Sequence, residues 1–319
     1  MLCGTTPPGG PKNGPALGVT VVIATRDRGA RVVSAVESVL ANDFAEVEVI
    51  VVDQSRAADT QAAIERFLGL GNFRFVSSGT KGISAGRNLG VEHASHELVA
   101  FTDDDCIVGD DWVKALADGF GLDPRIGIVF GAVVAAATDP DVGAVTSYQP
   151  RLPYLARGLE DKMAVEGISG CMAVRRSVWR ALGGFDEQLG VGAPHLAGEE
   201  TDLTLRALHA GHFVFETPAA RVTHTGVCPL ADIPALIDRY WFGTGAAWGK
   251  MLKRGPRPVA GLLARMALKW AFGAPPIAST LGTRSYRGRR LRAFLRGLST
   301  GVGRPIDPVT GCFLAGHEG

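Results

Sequence analysis

LVAFTDDDC, Leu98 to Cys106, starts as a run of apolar and small residues and ends in three consecutive carboxylates, Asp103, Asp104 and Asp105. The apolar part reads as a buried strand, and the acids then fall at its C-terminal end, the edge where open α/β sheets bind ligands. Adjoining negative charges are best tolerated around a divalent cation. The stretch therefore predicts a metal-bound, phosphate-containing substrate.

Upstream, Val19–Ala24 (VTVVIA), Val47–Asp53 (VEVIVVD) and Phe73–Ser77 (FRFVS) read as further strands, several too continuously apolar to face water. Between them Arg31–Leu40 and Ala58–Leu68 have helical patterns, and Ser84 is a good N-cap for a helix reaching His93. Strand alternating with helix predicts an α/β fold with a parallel sheet. Downstream, a helix is expected from about Asp110 to Gly121, then strands at Ile126–Val134 and Ile168–Val174. The stretch between those strands, with Pro140, Pro150 and Pro153, reads as a long, partly mobile loop. A short helix at Arg176–Leu182, the turn GGFDE, a helix from Glu199 and the strand HFVFET follow.

With 319 residues, 46% of them hydrophobic and 20% charged, the chain has an ordinary globular composition. Its five cysteines are scattered without a CxxC or a Cys/His cluster, which points away from a disulfide framework or zinc site. The net charge of +1 conceals an asymmetry. Residues 231–319 hold 14 Lys and Arg against 4 Asp and Glu, and the rest of the chain holds 19 against 28. Three regions are expected: a disordered tail over 1–16, a catalytic domain over 17–230, and a helical basic extension over 231–319. No apolar run reads as a signal sequence or a bilayer span; the best candidate, GLLARMALKWAFG, carries Arg265 and Lys269. A cytoplasmic protein is expected, with a peripheral place on the inner face of the cell membrane as the other option.

Thr25 and Arg26 end the first strand and Asp53 ends the second, so all three meet on one sheet edge. Asp53 there can accept hydrogen bonds from a base or ribose, or serve as a turn residue, while Thr25 and Arg26 offer donors. In KGISAGRNLG, Gly82 and Arg87 stand at a helix start, where Arg87 can bind a diphosphate or lie on the surface. The absence of GxGxxG and GxxxxGK[ST] argues against dinucleotide oxidoreductases and P-loop enzymes. A second acidic cluster, Glu199, Glu200 and Asp202, lies in the first turn of a helix. Macrodipole compensation accounts for one or two acids; three within four residues leave one for a general base. His224 is either a structural histidine or the imidazole of a mixed oxygen and nitrogen metal site.

Taken in order, VTVVIATRDR, VEVIVVDQS, KGISAGRNLG, LVAFTDDDC, GCMAVRRSVWRALGGFDE, GEETDLTLRALHAG and the late histidine resemble a family-2 glycosyltransferase of the GT-A fold, over Val19–Gly226. The resemblance implies a nucleotide-diphosphate sugar donor held by Thr25, Arg26, Asp53, Gly82, Arg87, Asp103 and Asp104. It implies Mn²⁺ or Mg²⁺ on Asp105, with Asp103 and His224 assisting. It places the catalytic base at Glu200, where the family usually has aspartate, so Glu199 and Asp202 stay open as alternatives. Gly184, Phe185 and Asp186 match the acceptor-side loop. The implied reaction is inverting transfer to an acceptor hydroxyl on a saccharide, a lipid-linked carrier or a small molecule, of the kind that builds envelope polysaccharides or glycoconjugates. The rivals are a nucleotidyltransferase and a catalytically silent sugar-nucleotide binder.

Beyond Leu230, helices are expected at Arg239–Lys250 and near the end of the chain, where Leu291, Phe294, Leu295 and Leu298 share one face and Arg289, Arg292 and Arg296 another. Such a basic amphipathic helix suits either an anionic membrane surface or packing on the catalytic domain. No nucleic-acid recognition motif accompanies the charge.

Overall fold

The N-terminal half is built on four parallel strands, β1 (Val19–Thr25), β2 (Val47–Asp53), β3 (Phe73–Ser77) and β4 (Leu98–Asp103). The computed structural model describes residues 18–272 and 286–315; the tail expected over 1–16 lies outside them. β1 and β2 are buried along their whole length, which is why they are rich in Val and Ile without polar alternation. Helices α1 (Val32–Leu40), α2 (Asp59–Ala63) and α3 (Ile83–His93) connect them. The register sets Thr25 beside Asp53 and Ala24 beside Asp103, so the C-terminal strand ends form one edge.

Two local expectations change. The helix read over Ala58–Leu68 is broken, because α2 stops at Ala63 and a 3-10 turn covers Glu65–Phe67. The cap of α3 is Gly82, at φ +107°, a conformation that glycine adopts without a Cβ penalty. Ser84 Oγ donates instead to the Leu189 carbonyl at 2.7 Å, tying the start of α3 to a distant loop.

The second half adds β5 (Cys106–Val108), α4 (Trp112–Gly121), β6 (Ile126–Ala135), β7 (Gly143–Val145), β8 (Tyr154–Ala156), β9 (Met172–Arg175), α5 (Arg176–Ala181), α6 (Glu199–His209), β10 (Phe213–His224) and β11 (Val227–Pro229). The main sheet runs β3-β2-β1-β4-β9-β6-β10-β5. It is parallel through its first four strands and mixed beyond them, since β9 enters antiparallel between β4 and β6. β10 loses register between Glu216 and Arg221, pairing with β8 before the break and with β5 after it. The stretch read as a long loop is stitched to this framework: β7 pairs with β11, β8 with β10, and Tyr148 bridges to Val133.

The C-terminal region is α7 (Ile233–Arg254), α8 (Pro256–Phe272) and α9 (Arg287–Gly303). It is not an appendage. Ile237, Trp241, Trp248 and Met251 of α7 share one hydrophobic core with Val22, Phe101 and Phe130 of the sheet. Glycines four apart, Gly245 and Gly249 on α7 and Gly297 and Gly301 on α9, lie against carbonyls of the opposite helix, so the two backbones nearly touch. Phe294 and Leu298 of the expected amphipathic face therefore pack on the protein, while Leu291 and Leu295 stay exposed. Among the described residues no helix is long and apolar enough to cross a membrane.

A methyl group at Gly249 would overlap the Leu298 carbonyl, whereas one at Gly261 of α8 meets nothing within 4 Å. Helix propensity alone favours alanine by about 1 kcal/mol at both positions, and at Gly249 backbone overlap opposes it with a cost of about 1–3 kcal/mol or more. Urea denaturation is thus expected to show Gly249→Ala lowering stability and Gly261→Ala raising it; the same sign for both would contradict close helix contact.

Candidate active site

Four chain segments deliver most of the site: the ends of β1 and β2, the turn after β4, and the start of α6. Asp27, at φ +53°, lets the loop after β1 fold over that after β2. Its N–H donates to Ser55 Oγ at 2.7 Å, and Ser55 Oγ in turn donates to Asp53 Oδ1 at 2.5 Å. The second Asp53 oxygen makes no hydrogen bond among the described residues. Between the two loops lies a recess of about 310 Å³ lined by Asp27, Arg28, Ser55 and Thr60 among others. Arg26 turns aside to Asp27, at 3.4 Å.

The three aspartates after β4 have different neighbours. Asp103 Oδ1 receives Arg87 Nη2 at 2.8 Å, and Gly170 packs so close that a Cβ there would come within 2.8 Å of Asp103 Oδ2. Asp104 Oδ2 accepts the Thr25 hydroxyl at 2.6 Å, and burial raises its carboxyl pKa in spite of that bond and of Arg28 at 3.7 Å. Asp105 lies 3.1 Å from Arg28 Nη1 and 3.3 Å from His224 Nε2. Burial pushes the Asp105 carboxyl up, but the His224 hydrogen bond and charge, together with Arg28, outweigh it and hold it below the usual range. Arg28, a member of the TRDR run, is a site residue that the sequence reading passed over.

The donor atoms fit a hard divalent cation. Oxygen atoms of Asp103 and Asp105 and the Cys106 sulfur all lie within 4.8 Å of one another. Burial, with Asp103 and Asp105 beside it, pushes the Cys106 thiol well up, so it stays protonated and suits a hard cation poorly. His224 Nδ1 donates to the Thr146 carbonyl at 2.9 Å, which orients the ring and turns Nε2 toward Asp105. Gly226 completes the cradle, because a Cβ there would come within 2.6 Å of Asp105 Oδ2 and 2.7 Å of His224 Nε2.

On the other side of the cleft, α6 is buried from Glu199 through Leu208. Its first acid, Glu199, accepts Arg87 Nη1 at 3.1 Å and the Ser169 hydroxyl at 3.3 Å. Glu200 makes no ion pair among the described residues. Burial, reinforced by the adjacent Glu199 charge, pushes its carboxyl up to about 8 against the opposing pull of Arg87 and Lys162. Lys162, a second residue absent from the sequence reading, is buried with its ammonium donating to the Val165 carbonyl, and burial lowers its pKa.

The other expected site residues lie in enclosed positions. Arg87, only 2% exposed, spans Asp103 and Glu199 rather than an open diphosphate surface. Asp202 cannot face an acceptor: it is locked in a buried knot with Arg206 Nε at 2.8 Å and Lys250 Nζ at 2.7 Å. Asp186 joins the same knot through Lys250 and the Phe313 N–H. Gly184, Phe185 and Asp186, expected on the acceptor side, are all buried, the Gly184 carbonyl held by Arg206 and the Phe185 ring packed edge-on to Phe101. Gly82 stays near the site as the cap of α3, and its carbonyl is held by Gln54.

Comparison with known sequences and structures gives the family and the fold. The sequence profile described as Glycosyl transferase family 2 matches residues 20–183, half of the chain. The chain belongs to that family and is a glycosyltransferase. It is 26% identical over 219 residues, 65% of its own length and 68% of the relative's, to a glucosyl-dolichyl phosphate glucuronosyltransferase of Haloferax volcanii. It is 28% identical over 234 residues to a pre-mycofactocin glycosyltransferase of Mycobacterium tuberculosis, 71% of this chain but only 46% of the longer mycobacterial protein. Among solved structures, a mannosyltransferase of Pyrobaculum calidifontis in complex with GDP-Man and Mn²⁺ superposes with a TM-score of 0.57 at 18% identity, covering 89% of this chain and 87% of that one. S. aureus TarS 1-349 superposes with a TM-score of 0.55 at 14% identity, covering 88% and 81%. The fold is the GT-A type.

The raised Glu200 carboxyl also has a stability signature. Between the ordinary glutamate value and about 8 the folded state binds more protons than the unfolded chain, so the group lowers stability as pH rises through that window. Glu200→Gln removes the penalty and is expected to stabilise the fold at pH 7 by on the order of 3 kcal/mol, with the gain vanishing near pH 4. Denaturation midpoints across pH 4–9 test this, and a gain independent of pH would contradict the raised carboxyl.

Proposed function

We propose that the protein transfers a sugar, with inversion, from a nucleoside diphosphate sugar to an acceptor hydroxyl, in a divalent-metal-dependent reaction with Glu200 as the base. The observation that carries this reading is the convergence of two acidic clusters across one buried arginine, Asp103 on one side and Glu199 with Glu200 on the other. The donor nucleoside fits the edge formed by Thr25, Asp53 and the recess beside Asp27 and Arg28. Asp105, Asp103 and His224 would hold the cation, and their mixed oxygen and nitrogen donors suit Mn²⁺ or Mg²⁺. When bound, such a cation neutralises the charge that grows on the departing diphosphate.

The chain's own residues account for the acceptor half. Arg87 and Ser169 hold the Glu199 carboxylate in place beside Glu200. Its negative charge and the buried setting raise the proton affinity of Glu200, which makes that carboxylate a stronger base than an exposed glutamate. Glu200 takes the acceptor proton as the hydroxyl oxygen bonds to the anomeric carbon and the glycosidic C–O bond to the diphosphate breaks. The one-residue difference from the usual aspartate lengthens the reach by a methylene.

Thermal-shift measurements with Mn²⁺ and a panel of nucleotide sugars are expected to show at least one donor stabilising the wild type. Asp105→Ala should lose the metal-dependent part of that shift. Glu200→Gln should keep it while turnover falls about 10²–10⁴-fold, and log kcat/KM of the wild type should rise with unit slope below about pH 8 and level off above. Intact turnover in Glu200→Gln would remove the base assignment.

A further inference from the structure

A second cavity, of about 100 Å³, lies between residues 146–168, α7 and Arg290 of α9. Thr146, Ser147, Tyr148, Ile168, Tyr240 and Trp241 form most of its wall. Glu166 and Arg290 also line it, but most of the exposed wall is carbon. The Tyr240 and Trp241 rings meet edge to face at 5.8 Å, and the Tyr148 hydroxyl is turned out of the cavity's service by donating to Glu216 Oε2 at 2.8 Å.

The cavity touches both halves of the site described above. On one side the Thr146 carbonyl receives the His224 ring N–H. On the other, Ile168 is followed by Ser169, which donates to Glu199, and by Gly170, which packs on Asp103. The start of α6 rests on α7 at Gly243, where a Cβ on Gly198 would come within 2.6 Å of the Gly243 backbone. Tyr240 is one helical turn before Gly243 on the same face of α7. Its hydroxyl makes no hydrogen bond among the described residues, and burial together with the nearby carboxylates of Glu200, Glu166 and Glu199 keeps it protonated. It can therefore donate.

The Glu200 carboxylate acts on the Tyr240 hydroxyl of the cavity wall, so an acceptor that presents a hydroxyl to Glu200 can extend toward this cavity. A sugar ring, with a polar group on nearly every carbon, would leave several of them facing carbon walls, each at a cost of about 1–3 kcal/mol. A phenyl ring or a short branched hydrocarbon loses nothing there and gains about 25 cal/mol for every Å² removed from water. Resting on the sugar-transfer reading, we propose that the acceptor is an amphiphilic alcohol whose apolar ring or branch fills the cavity, with Tyr240 donating a hydrogen bond to the oxygen-bearing end. The C-terminal helix α7 thus selects the acceptor, while the sheet edge holds the donor.

Phenyl and methyl β-D-glucopyranoside carry the same hydroxyls and differ only in the apolar group, so calorimetric titration of each into the full chain tests the assignment. The phenyl glycoside is expected to bind at least tenfold more tightly. Ser147→Trp, which fills the cavity, and Leu236→Gln, which makes its half-exposed wall polar, should each abolish that preference without altering stabilisation by nucleotide sugar and Mn²⁺. Leu236→Gln decides the matter if circular dichroism shows that Ser147→Trp does not fold. Equal binding of the two glycosides to the wild type, as for an all-polar saccharide acceptor, overturns the proposal, as does a preference that survives in the folded variants. A phenyl preference in a protein that no nucleotide sugar stabilises would sink the sugar-transfer reading and the acceptor role with it, leaving only an apolar binding site.

Discussion

The buried guanidinium of Arg87 is the constraint on which the site depends. It reaches Asp103 at the end of β4 and Glu199 at the start of α6, two segments nearly a hundred residues apart in sequence. Burying such a charge costs several kcal/mol unless partners with good geometry surround it. Two carboxylates provide them, and Asp103, Glu199 and Glu200 together raise the arginine pKa further against the opposing effect of burial. The arrangement has a consequence for chemistry. With Glu199 held in the ion pair, its charge acts on Glu200, the neighbouring carboxyl, which makes no ion pair among the described residues.

A second buried charge cluster fixes the scaffold around this brace. Lys250 of α7 and Arg206 of α6 meet Asp202 and Asp186, and the Phe313 N–H closes the cluster from the C-terminal end of the chain. Glycine-lined contact between α7 and α9 holds α7 close, so that Tyr240 and Trp241 wall the second cavity. The basic charge excess beyond residue 230 and the acidic excess before it are thus partly spent on each other inside the protein. The C-terminal helices belong to the active domain in packing and in the cavity they wall.

Much of the sheet was legible in the sequence because parallel strands buried on both faces leave uninterrupted Val and Ile runs, as in β1 and β2. The site was legible where acids end a strand, as at Asp103 to Asp105, or crowd a helix start, as at Glu199 and Glu200. Which acid faces which way was not. Asp202 is three residues along α6 from Glu199, yet helix rotation and the approach of Lys250 turn it into the knot. Arg87 could not be told from a ligand-binding arginine, since its partners are distant in sequence. Short strands such as β7 and β8 pair only through non-local register and leave no periodic signal. The four-residue spacing of Gly245, Gly249, Gly297 and Gly301 was visible and would have forecast the α7–α9 contact.

Arg87 couples the two sides of the cleft, and a double-mutant cycle measures that coupling. Urea unfolding of Arg87→Met, Glu199→Gln and the double variant gives the interaction free energy directly. Breaking a buried pair from one side leaves the other charge uncompensated and costs about 3–5 kcal/mol. The predicted result is that the double variant is less damaged than the sum of the singles by about 2 kcal/mol or more. Additive losses would mean that Arg87 does not hold Glu199, and the bridged cleft would have to be abandoned.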